Sequence, residues 1–379
     1  GTVARRDPAD ARRGAEARRR IVAQFGGAVE GPLAAYVSSL GAKLAATSEQ
    51  PNEPWTFTVL DSPVVNAFAT PGGYVYVTRG LIALADDEAE LAGVIGHEIA
   101  HVTADHSAAR RSQSTIAQIG TLAAVLGAAV LGADPGVVDA VGQASAAIGQ
   151  GVIASYSREQ ELEADRLGVA YLARAGYDPQ AQADFLESMQ AQSALQAQLS
   201  GRAYDANRVD FFATHPATAA RVREAIRAAG AEAAATGRAR NRDAFLNAID
   251  GMVYGESPAQ GFVRGRRFAH PELRFAFSPP EGFQITNSAQ AVVMGGPAGR
   301  IVFDGARDPG GPLDRVLVES WAAPLARQAG GGRLQGLERF TIDGMEAAGA
   351  WLPVRTRQGR ALARLTLIRY GDGRLYRFL

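Results

Sequence analysis

Apolar residues at Leu91, Val94, Ile95, Ile99 and Val102 recur with the period of an α-helix. Asp86 and Asp87 precede them as N-cap candidates, and Glu90 follows Asp87 by three, so the helix is expected to begin there. Gly31-Pro32 opens another amphipathic run over residues 33–46. Between the two runs, residues 55–60, 65–70 and 74–78 are rich in β-formers, and Pro71-Gly72-Gly73 turns the second stretch into the third. Helical patterning returns over 157–175 and again over about 178–199. From about Phe262 the pattern changes to strands, at 273–277, 300–303, 337–341, 362–370 and 375–379, with a helix near 313–329. The expectation is an α+β protein: a mainly helical domain with a small β-sheet, then a smaller α+β domain on an antiparallel sheet. Its divisions are a basic helix over 1–30, the main domain over 31–236, a linker with a short helix over 237–261, and the C-terminal domain over 262–379.

Two stretches raise the question of membranes. Residues 116–133 carry no charge over 18 positions, and 137–154 follow after Asp134-Pro135-Gly136. Alanine and glycine dominate both, so the drive for insertion is poor and the reading is a helical hairpin packed on protein or lying over the site. The N-terminal stretch, with Arg5, Arg6, Arg12, Arg13, Arg18, Arg19 and Arg20, is suited to an anionic membrane surface. A solvated helix packed on the domain edge explains it better, and that reading is preferred.

Charge and cysteine content narrow the chemistry. The chain has 39 Lys+Arg and 39 Asp+Glu, a net charge of +0, which does not suit a general nucleic-acid binder. It has no cysteine, so disulfides and thiolate metal ligands are both excluded.

The first helix contains Gly96-His97-Glu98-Ile99-Ala100-His101. One turn separates His97 from His101, so both imidazoles project from one face, where two neutral nitrogens can reach one zinc ion. Glu98 is placed to take a proton from water rather than to bind metal. With only 5 histidines in the chain, a chance pair at this spacing inside a helix is rare. His106 falls about 180° from His97 on an ideal helix, and it is read as a structural histidine. A catalytic zinc with two histidines needs a third protein ligand. Glu161 and Asp165 share a face of the 157–175 helix, whereas Glu163 lies about 200° round from Glu161 and reads as part of an exposed acidic helix start. His215, beside Pro216, and Arg221 are candidates for holding an oxyanion. A strand beside such a helix can take up an extended peptide, or can be an ordinary sheet edge.

Together these motifs resemble the gluzincin metallopeptidases of the HtpX, BepA and CAAX-prenyl-protease type, over about residues 33–226. The resemblance rests on Asn66-Ala67-Phe68 with Pro71-Gly72-Gly73, on His97-Glu98-Ile99-Ala100-His101, on Glu161 with Asp165, and on His215-Pro216 with Arg221. It implies one Zn2+ per chain held by His97, His101 and Glu161, with Glu98 as general base. Asp165 would hydrogen-bond a ligand histidine, and Asn66, Ala67, Phe68 and Ala69 would bind substrate. In periplasmic relatives the histidine matching His215 can approach the zinc and keep the enzyme latent. Family members often carry arginine where this chain has Asp105.

The implied function is a zinc endopeptidase for extended or misfolded polypeptides in envelope protein quality control. Its implied location is periplasmic, with a membrane-surface or outer-membrane assembly partner and no nucleic acid. Two alternatives stand beside it, a zinc-bound chaperone or scaffold with little proteolysis, and a membrane-integrated peptidase using 116–154.

Overall fold

In the computed structural model the described residues are 8–106, 156–199, 215, 223, 226–227, 239–328, 332–356, 359–371 and 373–379. Arg221 and the hairpin expected over 116–154 lie outside them. No described helix is long and apolar enough to cross a membrane. The described chain divides into two units, the first ending at Ser257 and the second beginning at Pro258.

In chain order the first unit holds α1 (Pro8–Gln24), α2 (Pro32–Ala45), β1 (Thr56–Leu60), β2 (Ala67–Thr70), β3 (Tyr74–Thr78), α3 (Arg79–Ile82) and α4 (Glu88–Thr103). Then come α5 (Arg158–Arg174), α6 (Gln180–Leu199) and α7 (Arg242–Ile249). The strands form a sheet of order β1-β3-β2, with β1 parallel and β2 antiparallel to β3. Side chains alternate across it, as the two-residue period of a strand requires. Ala67, Ala69, Val75 and Val77 enter the main core with residues of α2 and α4, while Phe68 and Tyr76 face the other way and meet Ile21 of α1. Both faces are covered, so every residue of β2 is buried. The basic N-terminal helix therefore packs by Ile21, and Arg18 donates to Thr58 Oγ1 at 3.1 Å.

α4 runs through the middle of this unit and is buried from Glu88 to His101. Asp87 starts it by accepting from Glu90 N, and Glu90 Oε2 accepts in turn from Asp86 N at 2.8 Å. Glu88 is buried and accepts from Tyr36, Tyr177 and Asn241.

Within the stretch 237–261, expected as a linker, the described residues 239–255 are fastened to the rest of the first unit. Ala239 pairs with Tyr177, Arg240 reaches Asp87, Asp178 and Asp184, and Phe245 of α7 belongs to the main core. Arg79 donates to the carbonyls of Val253 and Gly255. The bonds that tie this stretch down are long-range, so its polar composition reads as a linker when taken alone.

The second unit begins with a small sheet of β4 (Phe262–Arg264), β5 (Arg267–His270) and β6 (Phe275–Phe277). Next come β7 (Gln284–Asn287), β8 (Val292–Gly296) and β9 (Gly299–Arg307), then a helical run of α8 (Leu313–Val316), a π-helical turn (Leu317–Ala322) and α9 (Ala323–Gln328). The unit ends with β10 (Gln335–Ile342), β11 (Met345–Thr356), β12 (Gly359–Tyr370) and β13 (Arg374–Phe378). The seven strands β10-β11-β12-β13-β9-β8-β7 form one antiparallel sheet. Leu313, Leu317 and Ala322 of the helical run cover one face against Ala350, Leu352 and Leu365, and Phe268 of the small sheet packs with Phe303, Ile368 and Tyr376 on the other. The expected α+β architecture is present in both units. The strands the sequence patterning did not single out are β4, β5, β7, β8 and β11; β11 is the longest of them, and its Ala-Ala-Gly-Ala run and Pro353 are poor strand formers. Pairing of β11 with β10 stops at Trp351, so Pro353 sits beyond that ladder.

Candidate metal centre

Two helices build the site. α5 opens with a capping box, in which Ser157 accepts from Gln160 N and Gln160 Oε1 accepts from Ser157 N. This places Glu161 in the first turn and Asp165 one turn later on the same face. α5 crosses α4 where Gly168 faces Gly96 and His97, and a Cβ on Gly168 would stand 3.0 Å from His97 N. The two backbones approach closely enough for short carboxylate arms to reach the α4 histidines.

His97 Nε2 lies 3.0 Å from His101 Nε2, 3.5 Å from Glu161 Oε2 and 3.3 Å from His215 Nδ1. Glu161 Oε1 lies 3.4 Å from His101 Nε2 and 3.0 Å from His215 Nδ1. These four donors are all buried, and one ligand atom from each falls within 4.8 Å of the others. Tetrahedral bonds of about 2.0–2.1 Å to zinc place neighbouring ligand atoms about 3.3 Å apart. The observed spacings bracket that value, and the donor set of three imidazoles and one carboxylate suits zinc.

The charges fit the same reading. Burial works against a charged His97, but hydrogen bonds to Asp165 and Glu161 prevail and push it up to about 10. Burial holds His101 well below the ordinary imidazole value, with the charges of His97 and His215 acting in the same direction. Burial opposes ionisation of Glu161, yet the surrounding imidazoles, His215 foremost, hold it well below the usual carboxylate range. His97 Nδ1 is 3.1 Å from Asp165 Oδ1, which fixes its tautomer.

Of the residues singled out from the sequence, His97, His101 and Glu161 converge, and Asp165 lies against His97. His215 does not stand beside this cluster but inside it, and its Nε2 lies 3.5 Å from Glu98 Oε1. Asn66 is buried, its backbone pairs with Thr78, and Ala67, Phe68 and Ala69 lie in β2, which packs against α4.

Two residues at the site had no signal in the spacing. Tyr156 stacks on His101, with ring centroids 3.6 Å apart at 14°. His106 Nδ1 is 2.9 Å from His101 Nδ1, and its Nε2 is 3.2 Å from Glu163 Oε2. The helical projection that set His106 apart fails because α4 ends at Thr103. Glu163 is thus more than an exposed helix-start charge.

The profile of peptidase family M48 matches residues 33–229, more than half of the chain. The chain is similar to the beta-barrel assembly-enhancing protease of Yersinia pestis, 37% identical over 164 residues, covering 42% of this chain and 33% of that protein. The beta-barrel assembly-enhancing protease of Escherichia coli K12 is 32% identical over 197 residues, covering 51% and 38%. The mitochondrial metalloendopeptidase OMA1 of Schizosaccharomyces pombe is 33% identical over 198 residues, covering 51% and 52%. The matched stretch thus spans from about a third to half of the length of these relatives.

Proposed function

The chain belongs to peptidase family M48, and from that premise we propose that it is a zinc-dependent endopeptidase acting on extended or misfolded polypeptides in the bacterial envelope. The observation that carries this reading is the convergence of His97, His101, Glu161 and His215, one ligand atom from each within 4.8 Å of the others, with Glu98 next to His215. One zinc per chain would be held by His97, His101 and Glu161. When bound, it supplies Lewis-acid polarisation of the scissile carbonyl and eases deprotonation of water.

The chain's own residues do the rest. Glu98 takes a proton from the attacking water and returns it to the leaving amine. Asp165 holds His97 in the tautomer that presents Nε2. Arg221 meets the oxyanion, with His215 in that role when it leaves the donor cluster. β2, the outer strand of its sheet, offers Ala67, Phe68 and Ala69, with Asn66 just before them, as the substrate edge. Envelope location and a link to outer-membrane assembly draw support from the names of the bacterial relatives.

His215 completes a fourth corner, the position a catalytic zinc leaves open. The reading therefore includes latency, with His215 withdrawing before substrate enters. The closed donor set also suits a zinc-held chaperone or scaffold, and one experiment separates the two. Cleavage of an unfolded model protein is followed for the unaltered chain, Glu98→Gln and His215→Ala at equal zinc content. A latent peptidase gains activity in His215→Ala and loses all activity in Glu98→Gln. Silence of every sample with zinc bound would favour the scaffold, and equal cleavage by Glu98→Gln would remove Glu98 from its role.

A further inference from the structure

The C-terminal end of α4 does more than stop a helix. Asp105 adopts φ 53°, the left-handed conformation that a helix end uses to reverse direction. His106 N then donates to His101 O at 3.1 Å, and Asp105 N donates to Val102 O at 3.1 Å, the paired bonds of a Schellman motif. This reversal brings the His106 side chain back beneath the histidine one turn earlier. There its Nδ1 stands 2.9 Å from His101 Nδ1, and its ring is buried.

We infer that His106 is a positioning residue for the metal centre, fixing the tautomer and the ring plane of His101 and passing the hold outward to Glu163. The inference rests on the zinc-site reading above, in which His101 gives Nε2 to the metal. A neutral imidazole that does so carries its proton on Nδ1. His101 Nδ1–H then donates to His106 Nδ1, which accepts with its lone pair. His106 in turn carries its proton on Nε2 and donates to Glu163 Oε2 at 3.2 Å. Each proton in the chain has one position. Tyr156, stacked on the His101 ring, sets the remaining rotational freedom.

The two α4 histidines are thus held by one helix in two ways. Asp165 of α5 meets His97 directly, whereas Glu163 of α5 meets His101 through His106. Gln160 of the same helix donates to the His106 carbonyl at 3.4 Å and helps seat it. The Glu163 side chain is 49% exposed, so its charge is screened and the larger share of the effect falls to His106.

A purely structural His106 would need only its backbone, because the Schellman bonds involve no side chain. The test therefore compares His106→Leu, which removes the acceptor at similar bulk, with His106→Asn, whose Oδ1 can replace Nδ1. Glu163→Ala is the third variant. Zinc affinity is read by competition with a chromophoric chelator, ligand geometry by the visible spectrum of the Co(II) form, and packing by the melting temperature of the metal-free chain. The expected result is a loss of zinc affinity of about 10–100-fold in His106→Leu with an altered Co(II) spectrum, against about threefold or less in His106→Asn. Metal-free melting should be alike in the two. Glu163→Ala should lose about threefold, and it decides the matter if His106→Leu does not fold, since unchanged affinity there would overturn the inference. Equal affinity in His106→Leu and the unaltered chain, or equal losses in the Leu and Asn variants, would also overturn it while leaving the zinc site standing. Failure of the unaltered chain to take up zinc would remove both.

Discussion

Gly168 lies against the backbone of His97: a Cβ there would stand 3.0 Å from His97 N and 3.1 Å from its Cα. The obstacle is main chain, which cannot rotate aside. Alanine ordinarily stabilises a helix over glycine by about 1 kcal/mol. Here the added methyl must push α5 away from α4, and overpacking of this kind costs about 1–3 kcal/mol. Glu161 and Asp165 move with α5, so the metal site suffers as well. Gly168→Ala should lower zinc affinity at least about tenfold and reduce the stability of the metal-free chain. Calorimetric zinc titration with urea unfolding checks both. Unchanged zinc affinity would mean that the helix crossing does not set the site.

Zinc uptake should release about one proton near neutral pH. The proton comes from His97, which is pushed up to about 10 in the metal-free cluster and must be neutral to bind. Since zinc competes with that proton, the logarithm of affinity should rise by about one for each pH unit below 10. Calorimetry in two buffers of different ionisation enthalpy measures the proton count. Asp165→Asn removes a hydrogen bond that holds the charge on His97, so it should reduce the count, and an unchanged count would refute this source of the proton.

The α4 site was legible in advance because its information is local. His97 and His101 are one turn apart, Glu161 and Asp165 likewise, and helix geometry converts both spacings into shared faces. β3 was legible too, over Tyr74–Thr78, as an uninterrupted run of β-formers after a Gly-Gly turn. What escaped depends on backbone reversals or distant partners. A straight helix continued past Thr103 puts His106 on the far side from His97, whereas Asp105 turns the chain back and brings it to His101. β11 combines small residues with a proline, and its identity as a strand comes from the ladders on either side of it. Arg240 gathers carboxylates from two distant parts of the chain, Asp87 at the start of α4 and Asp178 and Asp184 at the start of α6, and nothing near it in sequence announces that.

Arg240 gives a stability prediction. It reaches Asp184 at 2.6 Å, Asp178 at 3.0 Å and Asp87 at 3.3 Å, and Asp87 is the N-cap of α4. With its side chain 30% exposed, the cluster stands between a surface pair and a buried one. Arg240→Ala leaves three carboxylates facing one another and should destabilise the chain by about 1–2 kcal/mol. Arg240→Lys should recover only part of this, because one ammonium cannot match the fork of the guanidinium. Urea midpoints at fixed slope test the order. A fully recovered lysine variant would show that charge alone, and not geometry, holds the clasp.

Glu90 supplies a pH dependence whose direction can be worked out. Burial pushes its carboxyl up to about 7; the bond from Asp86 N and the charge of Arg240 oppose this, and the charges of Asp87 and Asp86 add to it. In the unfolded chain the same group titrates near 4.5. Below that value both states are protonated, and Glu90 contributes no difference. Between about 4.5 and 7 the unfolded state releases the proton while the folded state keeps it, so stability falls as pH rises. Above about 7 the loss is complete and amounts to at most ~3 kcal/mol. Glu90→Gln cannot ionise, and its Oε1 can still accept from Asp86 N. The variant should therefore be more stable than the parent by about 1–3 kcal/mol at pH 8, and the advantage should shrink to under about 1 kcal/mol at pH 5. Unfolding both proteins in urea at the two pH values, with chelator present to keep the metal site out of the comparison, isolates Glu90. An advantage of equal size at both pH values would show that the substitution acts by packing and that the buried carboxylate does not set the pH profile.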